Sequence, residues 1–255
     1  MRYSPKFFRD TMPEWKRKKD PIIARLFHRP MSYVFSSLFC EVGLTPNQVS
    51  FISLIISFLT CGCFLLQNKM WYIVGAILMN FWSITDSADG NMARSVGGKP
   101  YGDFIDATSS YAMVGFLFPA LGWAVYKDGG LLISRGAAWI ILIGAYTSIC
   151  DTMARLFFQK MKNNTFEIQN KENASCKSQI EDTKEVSDIS QGKLMSIFAR
   201  IDSELSMGGW NLVAIIICAI CNCLDIYILF YAIYYPTIFA VSTLYLIKKT
   251  KCLKR

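Results

Sequence analysis

The side chains best able to do chemistry lie close together in the sequence, between positions 86 and 110. Four aspartates and an arginine fall in this stretch: Asp86, Asp89, Arg94, Asp103 and Asp106. The aspartates form two pairs, each three residues apart, which places both carboxylates of a pair on one face of a helix. Because ionised groups inside a membrane are costly, such a cluster in an apolar chain indicates a functional site.

Two facing pairs of carboxylates predict a site for a divalent cation. Hard oxygen ligands suit Mg²⁺ or Mn²⁺, and the phosphates of a substrate would complete an open coordination shell. Arg94 offers a planar fork for a phosphate, and Gly90 allows a ligand to approach the helix backbone. Ion pairing between Arg94 and the aspartates, without catalysis, is the alternative. It leaves surplus negative charge, so we favour a bound metal.

The elements that must position these residues are membrane helices. Of the 255 residues, 53% are hydrophobic, and several apolar segments approach the length of a membrane span. Six spans are predicted, at about 46–67, 70–94, 103–126, 132–157, 208–224 and 226–247. The predicted fold class is an all-α integral membrane domain over residues 45–247, with an N-terminal interfacial helix. The two aspartate pairs lie where its second span ends and its third begins.

The distribution of basic residues predicts the orientation of these helices. Lysine and arginine are concentrated before the first span, between the second and third, between the fourth and fifth, and after the last. The other side carries only Lys69, Lys127 and Arg135. The positive-inside rule then places both termini and the aspartate cluster in the cytoplasm. Anionic membrane lipids account for the net charge of +8 without a nucleic-acid partner.

Three segments lie outside the predicted spans. Residues 1–44 are basic and amphipathic. An interfacial helix is predicted over 20–42, and a disordered tail is the alternative for the residues before it. His28 in this segment is expected at the surface. Residues 159–207 are predicted to form a polar cytoplasmic loop that ends in a short amphipathic helix over 196–207, and residues 248–255 a basic cytoplasmic tail.

The spacing of the charged stretch resembles a family signature. The pattern D-x-x-D-G-x-x-A-R, followed after a short gap by G-x-x-x-D, is similar to that of the CDP-alcohol phosphatidyltransferases. It matches at seven positions, which are Asp86, Asp89, Gly90, Ala93, Arg94, Gly102 and Asp106. The resemblance extends by helix count over residues 45–247, and it implies a six-helix, homodimeric membrane enzyme with a cytoplasm-facing site for two metal ions.

The same resemblance implies roles for the matched residues. It assigns metal binding to Asp86, Asp89 and Asp106, with two ions of Mg²⁺ or Mn²⁺. It assigns binding of the CDP moiety and its phosphates to four other residues, which are Gly90, Ala93, Arg94 and Gly102. The implied reaction moves a phosphatidyl or phosphoalcohol group from a CDP-linked donor to an alcohol acceptor and releases CMP, as in phospholipid biosynthesis.

Two departures from the signature bear on catalysis. The gap from Arg94 to Gly102 is a residue shorter than the commonest family spacing. The family's last aspartate, the usual base for the acceptor hydroxyl, is replaced by Ser110. Asp103 is the substitute that we favour, because it lies seven residues before Ser110 on nearly the same helix face. A metal-bound alkoxide without a protein base and a catalytically dead relative are the alternatives.

The sequence therefore supports three interpretations. We favour an active transferase, with a CDP-binding pseudoenzyme of the same fold as the runner-up. A transporter is disfavoured, because the acids lie near the cytoplasmic helix ends and no inverted repeat is evident. Asp151 and Arg155, four residues apart, are either a local ion pair or a contact for the acceptor. A bacterial cytoplasmic membrane is weakly preferred over the endoplasmic reticulum.

Overall fold

The computed structural model describes residues 3–98, 101–175 and 200–253. Those residues fold into helices joined by short connections, and none of them forms a strand. The prediction of an all-α protein is confirmed. Two parts of the predicted loop and tail lie outside the described residues. They are residues 176–199 of the predicted loop and the last two residues of the predicted tail.

The N-terminal segment folds as three helices. Helix α1 spans Pro5–Asp10 and helix α2 spans Glu14–Lys19. A π-helical turn at Ala24–His28 then continues into helix α3, Arg29–Glu41. Helix α1 packs on α3, and Phe8 is buried at this contact. The alternative of a disordered tail over residues 1–20 is wrong for the described part, because Phe8 of α1 packs in an apolar cluster with Tyr33 of α3.

His28 is buried rather than exposed, which corrects the sequence expectation. Only 2% of the residue is accessible, and its Nε2 lies 3.1 Å from Asn80 Oδ1 in a hydrogen bond. Burial lowers the pKa of the His28 imidazole. Because a neutral ring needs no counter-ion, His28 joins the N-terminal segment to the membrane domain as a polar packing residue.

Two helices carry the charged stretch of residues 86–110, and a third helix packs against both. Helix α4 spans Pro46–Leu65, and helix α5 spans Lys69–Met92. A π-helical turn, Ala93–Gly97, follows α5, and helix α6 runs from Gly102 to Asp128. Helix α4 packs on both α5 and α6. The end of α5 and the start of α6 come close to each other at Asp86 and Asp106.

The remaining helices complete the domain. Helix α7 spans Trp139–Ser175, residues 200–205 form a short helical stretch, helix α8 spans Asn211–Cys221, and helix α9 spans Leu224–Leu253. Helix α7 packs on α6 and α9.

The predicted limits of the fourth span, 132–157, are wrong at both ends. Before α7, the Asp225 carboxylate accepts hydrogen bonds from the backbone of Leu132 and Ile133, at 2.5 and 2.9 Å, and holds this stretch as a loop. After residue 157 the helix continues to Ser175. The polar residues there include Lys, Gln and Glu, which are good helix formers, so polarity alone did not indicate a loop.

Four helices in the described part of the chain are long and apolar enough to cross a membrane. They are Pro46–Leu65, Gly102–Asp128, Trp139–Met161 and Leu224–Tyr245. Helix α5 has sufficient length, with 24 residues, but Asp86 and Asp89 lower its hydropathy. Helix α8 has 11 residues, fewer than a membrane span needs. These four spans indicate an integral membrane protein.

Helices α6 and α7 approach each other through glycine. A β-carbon at Gly144 would overlap the backbone carbonyl of Phe118, whereas one at Gly62 would meet nothing within 4 Å. The Gly144→Ala variant should therefore be destabilised by about 1–3 kcal/mol through overpacking. The measurement is the midpoint of thermal unfolding in detergent. Gly62→Ala is the matched control and should be neutral or stabilised; an equal loss in both variants would contradict this account.

Candidate active site

The end of α5, the start of α6 and the start of α4 enclose a polar cavity. Its volume is about 360 Å³. Its walls contain predicted site residues together with three residues of α4, and they are Pro46, Asn47, Ser50, Asp89, Gly90, Ala93, Arg94, Gly98, Gly102, Asp103 and Asp106. The structure thus brings together most of the residues that the sequence pattern selected, and it adds the first turn of α4.

Asp89 lies at the buried wall of this cavity. Only 4% of the residue is exposed, and its Oδ2 accepts a hydrogen bond of 2.5 Å from the hydroxyl of Ser50. Ser50 lies in the second turn of α4, so the contact of α4 with α5 orients the carboxylate. Sequence reasoning did not select Ser50, because this contact joins residues 39 positions apart.

Glycines permit the close approaches that shape the cavity. A β-carbon at Gly90 would lie 3.2 Å from Arg94 Nη1, so the guanidinium packs against the glycine backbone. A β-carbon at Gly102 would lie 3.2 Å from Asn47 Oδ1, at the contact of α6 with α4. Larger residues at these two positions would fill space that a ligand needs.

Asp86 and Asp106 meet across the two helices. Their carboxyl groups are close enough to interact electrostatically, at the point where the end of α5 lies beside the start of α6. Asp106 is exposed in the cavity wall, whereas Asp86 lies behind it. Asp86 Oδ1 is buried and has no hydrogen-bond partner among the described residues. A buried carboxylate oxygen without a partner is costly, and a cation beside it would remove that cost.

The carboxylates fit a hard divalent cation in their chemistry. Among the described residues, no three Asp, Glu, His or Cys side chains surround one point closely enough to hold an ion as they stand. The donor set of Asp86, Asp89 and Asp106 is nevertheless all oxygen, and the unpartnered Oδ1 of Asp86 supplies a free ligand atom. Metal binding therefore remains a prediction, and Asp86 Oδ1 is the atom best placed to be a ligand.

Two consecutive hydrogen bonds connect Arg94 to helix α3 through Asn91. Arg94 Nη2 donates to Asn91 Oδ1 at 2.9 Å, and Asn91 Nδ2 donates to Ser32 Oγ at 3.0 Å. Asn91 is 3% exposed, and Ser32 is fully buried. Ser32 belongs to α3, so the N-terminal segment fixes the orientation of the arginine. Neither Asn91 nor Ser32 was selected from the sequence, since nothing in the spacing relates α3 to the charged stretch.

Ser110 lies one turn beyond Asp106 and does not line the cavity. Its neighbour Ser109 is fully buried and is hydrogen-bonded to Ser53 Oγ at 2.7 Å and to Trp82 Nε1 at 3.0 Å. Asp103, in contrast, is exposed in the cavity wall. The cavity wall therefore contains a carboxylate at position 103 and no side chain from position 110.

Asp151 and Arg155 form an ion pair with each other. Arg155 Nε lies 2.9 Å from Asp151 Oδ1 within α7, and neither residue lines the cavity. Nearby, Tyr234 donates to Asp202 Oδ1 at 2.7 Å, which connects α9 to the 200–205 helical stretch. The local ion pair is therefore present, and the role of this pair in contacting an acceptor stays a prediction.

Comparison with known proteins identifies the family of the chain. A model of the CDP-alcohol phosphatidyltransferase family matches residues 43–176, and the chain belongs to this family. The chain is also similar to the archaetidylinositol phosphate synthase of Pyrococcus horikoshii, with 31% identity over 121 residues. That alignment covers 46% of this chain and 58% of the relative. The matched region contains the whole cavity, whereas the N-terminal segment and the last two described helices lie outside it.

Proposed function

We propose that the protein is a CDP-alcohol phosphotransferase of phospholipid biosynthesis. It moves a phosphatidyl or phosphoalcohol group from a CDP-linked donor to an alcohol and releases CMP. The observation that carries the proposal is the cavity in which Asp89, Gly90, Arg94 and Asp106 converge. Membership of the family supports the reaction type.

The residues of the cavity divide between donor binding and charge compensation. Gly90, Ala93 and Gly102 leave room for the cytidine and its phosphates, and Arg94 pairs with a phosphate oxygen. Asp86, Asp89 and Asp106 would hold Mg²⁺ or Mn²⁺. Such ions, when bound, neutralise charge on the transferred phosphoryl group and on departing CMP. Ser50 keeps the Asp89 carboxylate turned towards the cavity.

Proton transfer from the acceptor is assigned to Asp103. The acceptor oxygen forms a bond to the phosphorus, the bond from phosphorus to the CMP oxygen breaks, and the hydroxyl proton passes to the Asp103 carboxylate. Asp103 suits this role because it is accessible in the cavity wall, whereas Ser110 is not part of that wall. A carboxylate is a competent base at neutral pH, and a serine hydroxyl is not.

The membrane arrangement is proposed on the same basis. Six spans with both termini and the cavity in the cytoplasm require α5 and α8 to cross the membrane beside the four clearly apolar helices. The polar groups of α5 then face the cavity and its neighbours rather than lipid. A homodimer in a bacterial cytoplasmic membrane remains part of the proposal.

The deciding experiment measures CMP release by the purified protein in detergent. It supplies CDP-diacylglycerol, Mg²⁺ or Mn²⁺ and a panel of pooled alcohols, and then a soluble CDP-alcohol with lipid acceptors. Metal-dependent CMP release that requires an acceptor is expected. CMP release that is independent of acceptor, or its absence with both kinds of donor, would refute the transferase.

Ser110 favours a second candidate, a CDP-binding pseudoenzyme. The family's last aspartate is absent, although the donor-binding positions are present. This protein would bind CDP without releasing CMP from any donor. Activity gained in Ser110→Asp, from a wild type that binds CDP and is inactive, would identify it.

Asn91 provides a test of how Arg94 is positioned. In Asn91→Leu the arginine loses its hydrogen-bond acceptor, and a residue of similar volume fills the space. The affinity for CDP should fall roughly tenfold, the scale of a lost hydrogen bond to a charged group. Equilibrium binding of CDP measures it, with Asn91→Asp expected to retain the contact. Unchanged affinity in Asn91→Leu would show that Arg94 needs no support from α3.

A further inference from the structure

The N-terminal segment is fixed against the α5 end of the cavity. Thr11 Oγ1 lies 2.8 Å from Ser95 Oγ in a hydrogen bond. Ser95 directly follows Arg94 in the sequence. Met12 is 5% exposed and belongs to a buried cluster with Met92 and Val49. The chain just before α2 is therefore attached to the same turn that carries Arg94.

A second set of contacts fixes the chain just after α2. Arg29 donates two hydrogen bonds to the Asp20 carboxylate, at 2.6 and 3.0 Å, and both side chains are 12% exposed. The backbone N–H of Ile22 donates to Glu204 Oε2 at 3.0 Å. With both ends held, the short helix α2 has a defined position beside the site.

Helix α2 carries a lysine, Lys16, within electrostatic reach of the site. Lys16 is half-buried, and its ammonium interacts electrostatically with Arg94 and Arg29 and with the carboxylates of Asp20, Asp86 and Asp106. Burial, with the neighbouring Arg94 and Arg29, lowers the pKa of Lys16 to about 8. Asp20 is occupied by Arg29. The Asp86 and Asp106 carboxylates offset part of the positive charge of Lys16 and Arg94, and the phosphates of a ligand beside Arg94 would offset more of it.

We propose that Lys16 is a substrate-binding residue, which contacts the diphosphate of the CDP-linked donor together with Arg94. The donor is favoured over the acceptor because Arg94 lines the cavity beside Gly90. This inference rests on the proposed function. It assigns part of the site to the N-terminal segment, which lies outside the family-matched residues 43–176.

The test is equilibrium binding of CDP and of cytidine to the full chain in detergent with Mg²⁺. Lys16→Met should weaken CDP binding roughly tenfold or more, the effect of losing one charged contact, and leave cytidine binding unchanged. Lys16→Arg should restore most of the affinity. Lys6→Met is the matched control, since Lys6 is exposed on α1, and it should behave as the wild type.

Several outcomes would overturn the assignment. Equal CDP affinity in Lys16→Met and wild type would exclude Lys16 from the donor site. If Lys16→Met changed only the KM of a phosphorylated acceptor, Lys16 would bind the acceptor rather than the CDP-linked donor. A lower Mg²⁺ requirement with unchanged CDP affinity would make Lys16 a counter-charge of the carboxylates. If the wild type binds CDP but releases no CMP, the transferase fails and the binding result still decides the role of Lys16.

Discussion

The Asp106→Asn variant should lose roughly a thousandfold of its CMP release, or about 4 kcal/mol of transition-state stabilisation. Asp106 is one of two α6 carboxylates in the cavity wall, and it is the one that interacts with Asp86 of α5. An amide of the same shape keeps the packing but removes a negative charge and one oxygen ligand. The measurement is kcat for CMP release at saturating donor and acceptor, across a range of Mg²⁺ concentrations.

The matched control is Asp10→Asn, the same chemical change at an exposed position of α1. It should retain wild-type activity. Size-exclusion profiles in detergent establish that Asp106→Asn is folded, which is expected because Asp106 is accessible to solvent rather than part of the core. Wild-type kcat in folded Asp106→Asn would remove the carboxylate cluster from the mechanism, and with it the proposed reaction.

The α5–α6 hairpin was predictable because its information is local. The spacing of Asp86 and Asp89, and of Asp103 and Asp106, follows from the helical repeat. The short connection between the pairs leaves an antiparallel arrangement as the simplest geometry. The structure places three of these four carboxylates in one cavity wall, with α4 packed on both helices. Asp86, the fourth, lies behind that wall, a distinction of depth that spacing on one face does not resolve.

The contribution of the N-terminal segment was not predictable in the same way. Ser32 reaches Asn91 across 59 positions, and His28 reaches Asn80 across 52. Such contacts depend on how α3 packs against α5, and no local pattern encodes that packing. The basic composition of this segment predicts contact with a membrane surface, and that stays a prediction. It did not indicate that the same residues would complete the surroundings of Arg94.

The number of membrane spans was harder to predict from hydropathy than the position of the aspartate pairs. Helix α5 is long enough to cross a bilayer but carries acids and Asn80, and α8 is too short by itself. Two polar side chains of α5, those of Asp89 and Asn80, have partners inside the protein. Asp89 is paired with Ser50, and Asn80 Nδ2 donates to the backbone carbonyls of Ala76 and Leu212. Tertiary contacts satisfy these groups, and a window average along the sequence contains no such information.

The Asp103→Asn variant should lower kcat by about 100-fold to 10,000-fold, the range of a general base, while CDP affinity changes little. The expectation follows from position: Asp103 is a carboxylate in the cavity wall, and Ser110, which replaces the family's usual aspartate, is outside that wall. Steady-state kcat and equilibrium binding of CDP separate the two effects. Asp103→Glu is the conservative control and should keep part of the activity.

Ser110→Asp in the Asp103→Asn background tests whether the two positions can exchange the role. Ser110 and residue 103 are seven residues apart, so they share nearly one face of α6. If the base is Asp103, a carboxylate restored at position 110 should recover part of the lost kcat. Equal activity of Asp103→Asn and wild type would instead show that the acceptor proton leaves without either residue. A loss of CDP affinity that matches the loss of kcat would make Asp103 a donor-binding residue rather than a base.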